Sequence, residues 1–413
     1  MTSSTLQKIK EILLAVFAPL HLELKDDSAS HAGHAGARSG AGHYQVVIAS
    51  ALFEGKSLLE QHRMVKEALK GMMGKEIHAL QLKTQTSPQP PPYLRRGGFP
   101  RIVSLIASST EIICALGFEN QLVGRSHECD FPASVKKLPQ CTEAKFNIEG
   151  TSYEIDQRVK AILQEGLSVY RVFADKLREL KPDVIVTQVQ CEVCAVSEKD
   201  VELAVCELID TKPKIISLNT NALEDFWEDI MKVARALDAP EKGVELVERL
   251  KNRMQKITSQ VGTGCAAPAS GMDLSLPRPT VAFIEWIDPL MSCGNWMPTL
   301  IEMAGGINLF GEAGKHSPWM KWEELLQKNP DVIVISPCGY DIPKTREEMK
   351  TLLSKPEWST LKAVQNQKVF LADGNQFFNR PGPRLVESLE MLAEMFHPGH
   401  FRFGHQGKGW ERF

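Results

Sequence analysis

Hydrophobic and polar positions in the first 85 residues alternate with two different periods. Leu6, Ile9, Leu13, Val16 and Phe17 recur at helical spacing and predict an amphipathic first helix. Shorter β-branched or alternating runs predict strands. The predicted order is helix 3–18, strand 20–25, a Gly/Ala/His/Ser loop 28–42, strand 44–48, a helix from about 57, and strand 77–82. This order predicts a small α+β domain.

Beyond residue 100, short β-branched runs alternate with helical stretches, which is typical of parallel α/β structure. Strands are predicted at 102–106, 122–123, 184–187, 215–218, 281–284, 332–335 and 369–371. A long amphipathic stretch, 241–261, separates the fourth strand from the fifth. We therefore expect two α/β lobes bridged by a long helix.

Composition shifts divide the chain further. The polyproline stretch 86–92 predicts an extended linker, and the Gly/Ala/Pro/Ser-rich segment 262–279 predicts a surface insertion. The expected organisation is domain 1–86, linker 87–99, first lobe 100–240, bridging helix 241–262, flexible insertion 263–279, second lobe 280–398 and tail 399–413.

Length and charge exclude several classes of protein. The 413 residues exceed the roughly 100–200 of one ordinary domain. A 43% hydrophobic and 24% charged composition excludes wholesale disorder. A net charge of -3 argues against a nucleic-acid partner. Because no apolar run reaches the roughly 18 residues of a spanning helix, we expect a soluble protein without a transmembrane segment.

The N-terminus and the cysteines bear on the compartment. The apolar stretch 12–20 loosely imitates a secretory signal, but Glu11 interrupts its charge pattern and the charged segment 22–27 follows where a cleavage site should stand. The nine cysteines lack the spacing of a disulfide framework and fit a reducing compartment. We expect a cytoplasmic protein, leave an organelle open, and do not expect secretion.

Several segments of the first domain carry a family resemblance. They are Ser28-Ala29-Ser30-His31, His43-Tyr44, Phe53-Glu54-Gly55-Lys56-Ser57-Leu58, His62-Arg63 and Ile77-His78-Ala79-Leu80. With them, residues 4–86 resemble the BolA family, although an extra His-Ala-Gly-His-Ala-Gly stretch lengthens the loop.

The BolA resemblance implies a partner and a cofactor. It implies a monothiol glutaredoxin with which the domain shares a [2Fe–2S] cluster, and imidazole is a suitable ligand for such a cluster. The family's terminal-strand histidine matches His78 and its loop histidine matches His31, with His34 as a competing loop candidate. The alternative is that His31 and His34 are only solvated loop residues.

The large half carries a second resemblance through an ordered set of segments. They are Ser108-Ser109-Thr110-Glu111-Ile112, Ala115-Leu116-Gly117, the run 123–132, Leu180-Lys181-Pro182-Asp183, Gly294-Asn295-Trp296, Ala304-Gly305-Gly306, Trp322-Glu323-Glu324-Leu325 and Pro330-Asp331-Val332. Residues 100–398 resemble the helix-bridged substrate-binding proteins of siderophore and cobalamin ABC transporters, with the cobalamin branch nearest. The resemblance implies an acidic residue for transporter docking on each lobe, here Glu302 and, approximately, Glu198. Both also fit solvated helix charges, and the lack of a signal peptide argues against docking to a permease.

In such folds a ligand lies beyond the carboxyl ends of the strands. The candidate cleft residues at those positions are Ser109, His127, Cys129, Gln190, Cys191, Cys194, Trp286, Asn295, Trp296, Cys338, Phe378 and Arg380. The aromatic members suit the flat face of a corrin, or else belong to an ordinary core. The pair Cys191 and Cys194 could line the ligand, hold a metal with further ligands, or simply pack.

No motif of hydrolytic catalysis is present: the sequence has no G-x-S-x-G, H-E-x-x-H or P-loop. The first hypothesis is a non-catalytic protein that binds a corrinoid such as cobalamin, or a related small-molecule metal chelate, and is coupled to iron–sulfur status through its BolA-like domain. The alternative is a metallochaperone or iron-regulatory adaptor that binds metal or a cluster through cleft cysteines and BolA histidines. A third hypothesis, redox catalysis by Cys191 and Cys194, is the weakest because the pair does not open a helix after a thioredoxin-like first strand.

Overall fold

The structure is a computed structural model that describes residues 5–19, 21–26, 42–85, 98–164, 169–188, 213–261 and 276–413. The chain divides into two compact units, Met1–Gly98 and Phe99–Phe413. Among the described residues, no helix combines the length and the apolar composition that crossing a bilayer requires.

The first unit is a three-stranded sheet covered by two helices. Its elements are α1 (Thr5–Phe17), β1 (His21–Asp26), β2 (Gly42–Ala49), α2 (Leu58–Ala68) and β3 (Ile77–Gln85). The central strand β2 pairs antiparallel with β1 and parallel with β3. Ile9, Leu13 and Phe17 of α1 are buried against β2 residues such as Val46 and Ile48. The predicted α+β architecture is confirmed, and the predicted loop lies almost wholly outside the described residues.

Helix α2 begins directly after Ser57, near residue 57 as the sequence predicted. Ser57 is the N-cap: its Oγ accepts from the backbone N–H of Glu60, and the Glu60 side chain accepts in return from the backbone N–H of Ser57. This reciprocal pair satisfies two amides that the first helical turn leaves without partners.

The first lobe of the second unit is built on a four-stranded parallel sheet with the order β5-β4-β8-β9. A two-stranded antiparallel pair, β6 and β7, stands beside it. The elements of the lobe are β4 (Ile102–Ser104), α3 (Ala107–Ala115), β5 (Leu122–Arg125), β6 (Thr142–Ala144), α4 (Ser152–Gln164), β7 (Tyr170–Val172), α5 (Ala174–Leu180), β8 (Val184–Gln188), β9 (Lys214–Leu218) and α6 (Leu223–Ala236).

The second lobe contains a mixed sheet with the order β11-β10-β13-β14-β15, and β12 also pairs with β10. Strands β10, β13 and β14 are parallel to one another. The elements are β10 (Thr280–Trp286), β11 (Met291–Ser292), α8 (Met297–Met303), β12 (Ile307–Asn308), α9 (Trp322–Lys328), β13 (Val332–Ile335), α10 (Ile342–Leu353), α11 (Lys362–Gln365), β14 (Val369–Ala372), α12 (Leu385–Phe396) and β15 (Trp410–Arg412).

Helix α7 (Pro240–Thr258) connects the lobes, as the sequence predicted. It packs against α6 on one side and against α8 and α12 on the other. Its buried residues Leu246, Leu250, Met254 and Ile257 belong to one hydrophobic core that continues into both lobes.

The segment 399–413, expected to be a tail, is instead built into the second lobe. Strand β15 pairs antiparallel with β14, and Trp410 is buried with its Nε1 donating to Glu394 Oε2 at 2.7 Å. The sequence pattern did not predict this strand because it is held by tertiary contacts with β14 and α12 and not by a local period.

Candidate ligand-binding site between the lobes

The two lobes meet at the carboxyl ends of their parallel strands. The loop after β5 carries Asp130, and a π-helical turn after β14, Gly374–Phe378, leads to Arg380. Arg380 Nη1 donates to Asp130 Oδ1 at 2.6 Å, and Gln376 Nε2 donates to Asp130 Oδ2 at 2.5 Å. Asn375 Nδ2 donates to the same oxygen at 3.4 Å, so one carboxylate of the first lobe is held by three side chains of the second.

A second charged pair joins the lobes more deeply. Arg384, just before α12, donates from Nε and Nη2 to Glu111 of α3 at 2.9 and 2.5 Å. The guanidinium also lies 3.9 Å from the ring centroid of Phe131. Both members of the pair are nearly inaccessible, so the pair is a buried, bidentate contact.

Burial and charge act against each other on these acids. Burial raises the pKa of Glu111, while the hydrogen bonds and charge of Arg384 lower it. Burial also raises the pKa of Glu128, whose Oε1 accepts from Tyr170 at 2.9 Å. At Asp130 the balance is reversed, because the hydrogen bond and charge of Arg380 overcome burial and lower its pKa. Asp130 is therefore ionised at neutral pH.

The second lobe presents an aromatic pair beside this junction. Trp286 ends β10 and Tyr340 follows β13, and their ring centroids lie 5.3 Å apart. Trp286 Nε1 and Tyr340 Oη are buried without a hydrogen-bond partner. A buried polar group left unsatisfied costs about 1–3 kcal/mol of folding free energy. The protein alone therefore leaves the hydrogen bonding of these two groups incomplete.

Two more buried polar atoms without a hydrogen-bond partner, Ser336 Oγ and Asn379 Oδ1, belong to the segments that follow β13 and β14. Asn379 Nδ2 donates to Ser336 O at 3.0 Å, and the Asn375 amide donates to Tyr340 O at 3.1 Å. The segments after β13 and β14 are thus hydrogen-bonded to each other at the strand ends.

Further contacts join the lobes away from the arginine pairs. The backbone N–H and the Oγ of Ser152 donate to Glu348 Oε2 at 2.9 and 2.8 Å. Lys344 Nζ donates to Gly150 O at 2.7 Å. Lys160 Nζ of the first lobe lies 5.0 Å from the ring centroid of Trp319, an exposed residue of the second.

Several predicted cleft residues lie in the loops at the strand ends. Arg380 and Trp286 contribute to the surfaces described above. His127 is half-buried, its Nδ1 lies 2.8 Å from Thr142 Oγ1, and burial lowers its pKa. Asn295 adopts a left-handed backbone with φ 52°, and Cys338 is exposed.

Other predicted cleft residues are placed in the core instead. Trp296 is buried, and its Nε1 donates to Phe378 O at 3.0 Å. Phe378 packs on Phe283, with the ring centroids 5.6 Å apart. Ser109 is fully buried, with its Oγ 2.6 Å from Ser104 Oγ. The sequence placed these residues near strand ends, but their side chains turn into the fold.

Cys129 is likewise a core residue. Its sulfur accepts from Thr110 Oγ1 at 3.0 Å, and burial raises the pKa of the thiol to about 11. A protonated thiol is a poor nucleophile and a poor metal ligand. The structure therefore does not favour Cys129 as a ligand-lining thiolate.

Of the remaining predicted site residues, some lie outside the residues that the structure describes and others lie within them. Gln190, Cys191, Cys194 and Glu198 lie outside the described residues, as do His31 and His34. Glu302 is exposed on α8.

His78 is exposed on β3 of the first unit, and its ring centroid lies 5.2 Å from that of His43 on the neighbouring strand β2. Within the described ranges, no three His, Cys, Asp or Glu side chains come together as a metal site.

No sequence pattern singled out the Glu111–Arg384 pair, nor Gln376, Ser336 or Asn379. A usable signal was present in Arg384, the second arginine of the segment 380–384. Because Arg384 stands just before an apolar helix, its charge is expected to be buried. A buried arginine needs an acidic partner, so a buried acid is expected elsewhere in the chain.

Comparison with known proteins agrees with this architecture. A family model described as BolA-like protein matches residues 13–89, and one described as Periplasmic binding protein matches residues 102–375. The vitamin B12-binding protein of Vibrio vulnificus (strain CMCP6) is 22% identical over 299 residues, which are 72% of this chain and 89% of that protein. SufE-like protein 1, chloroplastic/mitochondrial, of Arabidopsis thaliana is 37% identical over 84 residues, 19% of this chain and 23% of that protein.

Solved structures show the same two-lobed fold. A periplasmic heme binding protein from Pseudomonas aeruginosa superimposes with a TM-score of 0.54 at 19% identity, covering 74% of this chain and 95% of that one. The periplasmic vitamin B12 binding protein of Vibrio cholerae gives a TM-score of 0.50 at 20% identity, covering 74% and 100%. The chain therefore belongs to the periplasmic binding protein family and carries a BolA-like domain ahead of its binding-protein fold.

Proposed function

We propose that the second unit binds a corrinoid, or a closely related flat metal chelate, between its two lobes and does not catalyse a reaction. The observation that carries the proposal is the pair Trp286 and Tyr340. Their adjacent rings, inclined at 54° to each other, are apolar, while the buried Nε1 and Oη have hydrogen-bonding capacity that the protein itself does not use. A large ring with polar groups at its edge complements such a pair.

The junction of the lobes supports this proposal. The contacts across it, such as Asp130 with Arg380 and Ser152 with Glu348, join side chains of opposite lobes without a covalent link. Such contacts can exchange as the lobes close on a ligand, which is the binding motion of hinged two-lobed proteins. The vitamin B12-binding relatives match most of this unit and favour a corrinoid as its ligand.

An absorbance titration of the full chain with aquacobalamin tests the proposal. We expect a saturable shift of the corrin bands, with an affinity that falls about tenfold in Trp286→Phe, which keeps a smaller aromatic ring and removes the N–H. The matched control is Trp358→Phe, a buried tryptophan next to α11 in the core of the second lobe, which should bind as the wild type does. No shift well above micromolar ligand would overturn the proposal.

For the first unit we propose that His78 helps to hold a [2Fe–2S] cluster shared with a monothiol glutaredoxin, with His31 or His34 as a second ligand. The exposure of His78 and the neighbouring His43 ring support it, because a bridging cluster needs an accessible imidazole. Anaerobic cluster reconstitution with a monothiol glutaredoxin should give a visible circular-dichroism signal that His78→Ala loses. The exposed His400→Ala, in the other unit, serves as control, and an unchanged His78→Ala spectrum would contradict the proposal.

Direct metal binding through cleft thiols is less well supported. Burial raises the pKa of Cys114 to about 12 and that of Cys141 to about 11, as it does for Cys129. These three thiols therefore stay protonated at neutral pH. Of the predicted cleft cysteines, this argument leaves Cys338, which is exposed, and Cys191 and Cys194, which lie outside the described residues.

We also propose that the protein works in the cytoplasm. Cys129, Cys141 and Cys293 are free, buried thiols, which is the form that a reducing compartment maintains. Immunoblotting of fractionated cells tests this proposal, and recovery in the culture medium would contradict it.

A further inference from the structure

We propose that two copies of this chain associate through an apolar groove on the first unit, with their α2 helices antiparallel across a two-fold axis. The groove has a volume of about 620 Å³. It lies between the C-terminal end of α1, a 3₁₀ turn ahead of α2 and one side of α2, and it is lined by Val16, Phe17, Leu52, Arg63, Met64, Glu67 and Ala68. The proposal goes beyond the functions proposed above, because neither of them needs a second copy.

The apolar side chains of the groove stand open to solvent. Val16 and Leu52 keep 49% and 52% of their surface exposed, and Leu59, also on α2, keeps 70%. Met64 and Ala68 of α2 are only partly buried. An exposed apolar cluster around a groove is typical of a surface that a partner covers.

The charged residues of the groove point to a second copy as that partner. Arg63 and Glu67 have opposite signs and lie one helical turn apart on α2. Glu67 pairs with Lys70 at 3.0 Å, but both side chains are largely exposed, and such a pair contributes little. Among the described side chains, none forms an ion pair with Arg63. The groove therefore offers one positive and one negative group to whatever covers it.

Antiparallel pairing of two α2 helices satisfies both groups at once. With the two-fold axis at the level of position 65, residues equally far from that position face each other, so Arg63 of each copy lies opposite Glu67 of the other. Glu60 and Lys70, which are also exposed and opposite in sign, form the next pair outward by the same rule. Met64 lies next to the axis and fills the groove of the other copy. A second copy supplies this charge order by symmetry, whereas any other partner would have to reproduce it.

Sedimentation equilibrium of the full chain at several concentrations tests the proposal. We expect the wild type to dimerise, and Arg63→Glu and Glu67→Arg each to weaken the dimer about tenfold, because each variant places like charges opposite each other. The matched control is Lys25→Glu, which reverses a charge at an exposed residue of β1 outside the groove lining. It should dimerise as the wild type does.

Mixing the two charge-reversed variants separates loss of pairing from loss of folding. Each variant alone repels its own copy, but Arg63→Glu mixed with Glu67→Arg brings opposite charges together at both contacts, so we expect heterodimers. The double variant Arg63→Glu/Glu67→Arg restores both contacts within one sequence and should dimerise again. Mixing cannot repair a helix that has failed to fold.

Three results would contradict the proposal. A wild type that stays monomeric at every concentration would mean that the groove is covered by another partner or left open. A dimer that both single variants leave intact would mean that α2 is not in the interface. Failure of either the mixture or the double variant to dimerise would rule out the antiparallel pairing.

Discussion

Glu111 and Arg384 are separated by 273 positions in the chain, yet they form a bidentate pair with N–O distances of 2.9 and 2.5 Å. The pair joins α3 of the first lobe to the residue that precedes α12. A buried pair of this kind is strongly destabilising to break, because the remaining charge stays buried without a partner. It therefore fixes the relative position of the strand ends that form the cleft.

Removal of one partner should accordingly destabilise the second unit. We expect Arg384→Met to lower its free energy of unfolding by about 3–5 kcal/mol, because it strands the Glu111 carboxylate. Urea denaturation followed by tryptophan fluorescence isolates this unit, since all seven tryptophans lie beyond residue 226.

Three further variants decide whether the charge is the cause: Glu111→Gln, the double variant and a surface control. The double variant Glu111→Gln/Arg384→Met should be less destabilised than the sum of the single variants, since no uncompensated charge remains. Arg171→Ala, which breaks an exposed ion pair with Glu143, should change the free energy by about 0–1 kcal/mol. Strict additivity of the two single variants would contradict this account.

The π-helical turn before Arg380 depends on a glycine. A Cβ at Gly374 would stand 2.1 Å from Pro337 O, a backbone atom that cannot rotate away. Gly374→Ala should therefore cost about 1–3 kcal/mol in the same urea experiment and weaken ligand binding by moving Arg380. Gly399→Ala, where a Cβ meets nothing within 4 Å, is the matched control and should lie within about 0.5 kcal/mol of the wild type.

Thiol reactivity should follow burial. With a pKa of about 11, Cys129 is only about one part in a thousand thiolate at pH 8, whereas Cys338 is exposed. Brief iodoacetamide treatment of the native protein followed by peptide mass spectrometry should label Cys338 and spare Cys129 and Cys293. All three should react in guanidinium chloride, and native labelling of Cys129 at the rate of Cys338 would refute the burial.

The pair His405 and Glu390 predicts a pH dependence. The hydrogen bond between His405 Nε2 and Glu390 Oε2, 2.8 Å long, raises the pKa of His405 above its unfolded value of about 6.5. The stability that it contributes is fully present below about pH 6.5 and is lost as the pH rises through the raised pKa.

Comparison with His405→Gln isolates this contribution. The difference in free energy of unfolding between the wild type and His405→Gln should be larger at pH 6 than at pH 9. Gly399→Ala, which removes no titratable group, should show no such change with pH. A difference that is equal at both pH values would refute the pairing.

Local signals predicted most of the elements, because their causes are local. Ser57 and Glu60 cap α2 through contacts three residues apart, and the apolar runs at β4, β8 and β13 form strands where they were predicted. The bridging helix followed from its amphipathic period and from the strand counts on either side. These features need no knowledge of distant partners.

The site could be predicted only in part, because it is made by distant partners and by side-chain direction. A position just after a strand locates the backbone but not the rotation of the side chain. That is why the indole N–H of Trp286 is left without a partner, while Trp296 and Phe378 lie in the core and are hydrogen-bonded to each other. The Glu111–Arg384 pair depends on how two lobes dock, which no local period encodes.

The bridging helix has a consequence for how fast a ligand can enter and leave. Because Leu250 and Met254 of α7 belong to a core shared by both lobes, wide separation of the lobes would wet that core. Motion is then confined to small rocking at the polar rim, where Ser152 meets Glu348. We expect both the association and the dissociation of a ligand as large as a corrin ring to be slow. The occupancy of the cleft would then depend on earlier ligand concentrations as well as on the present one.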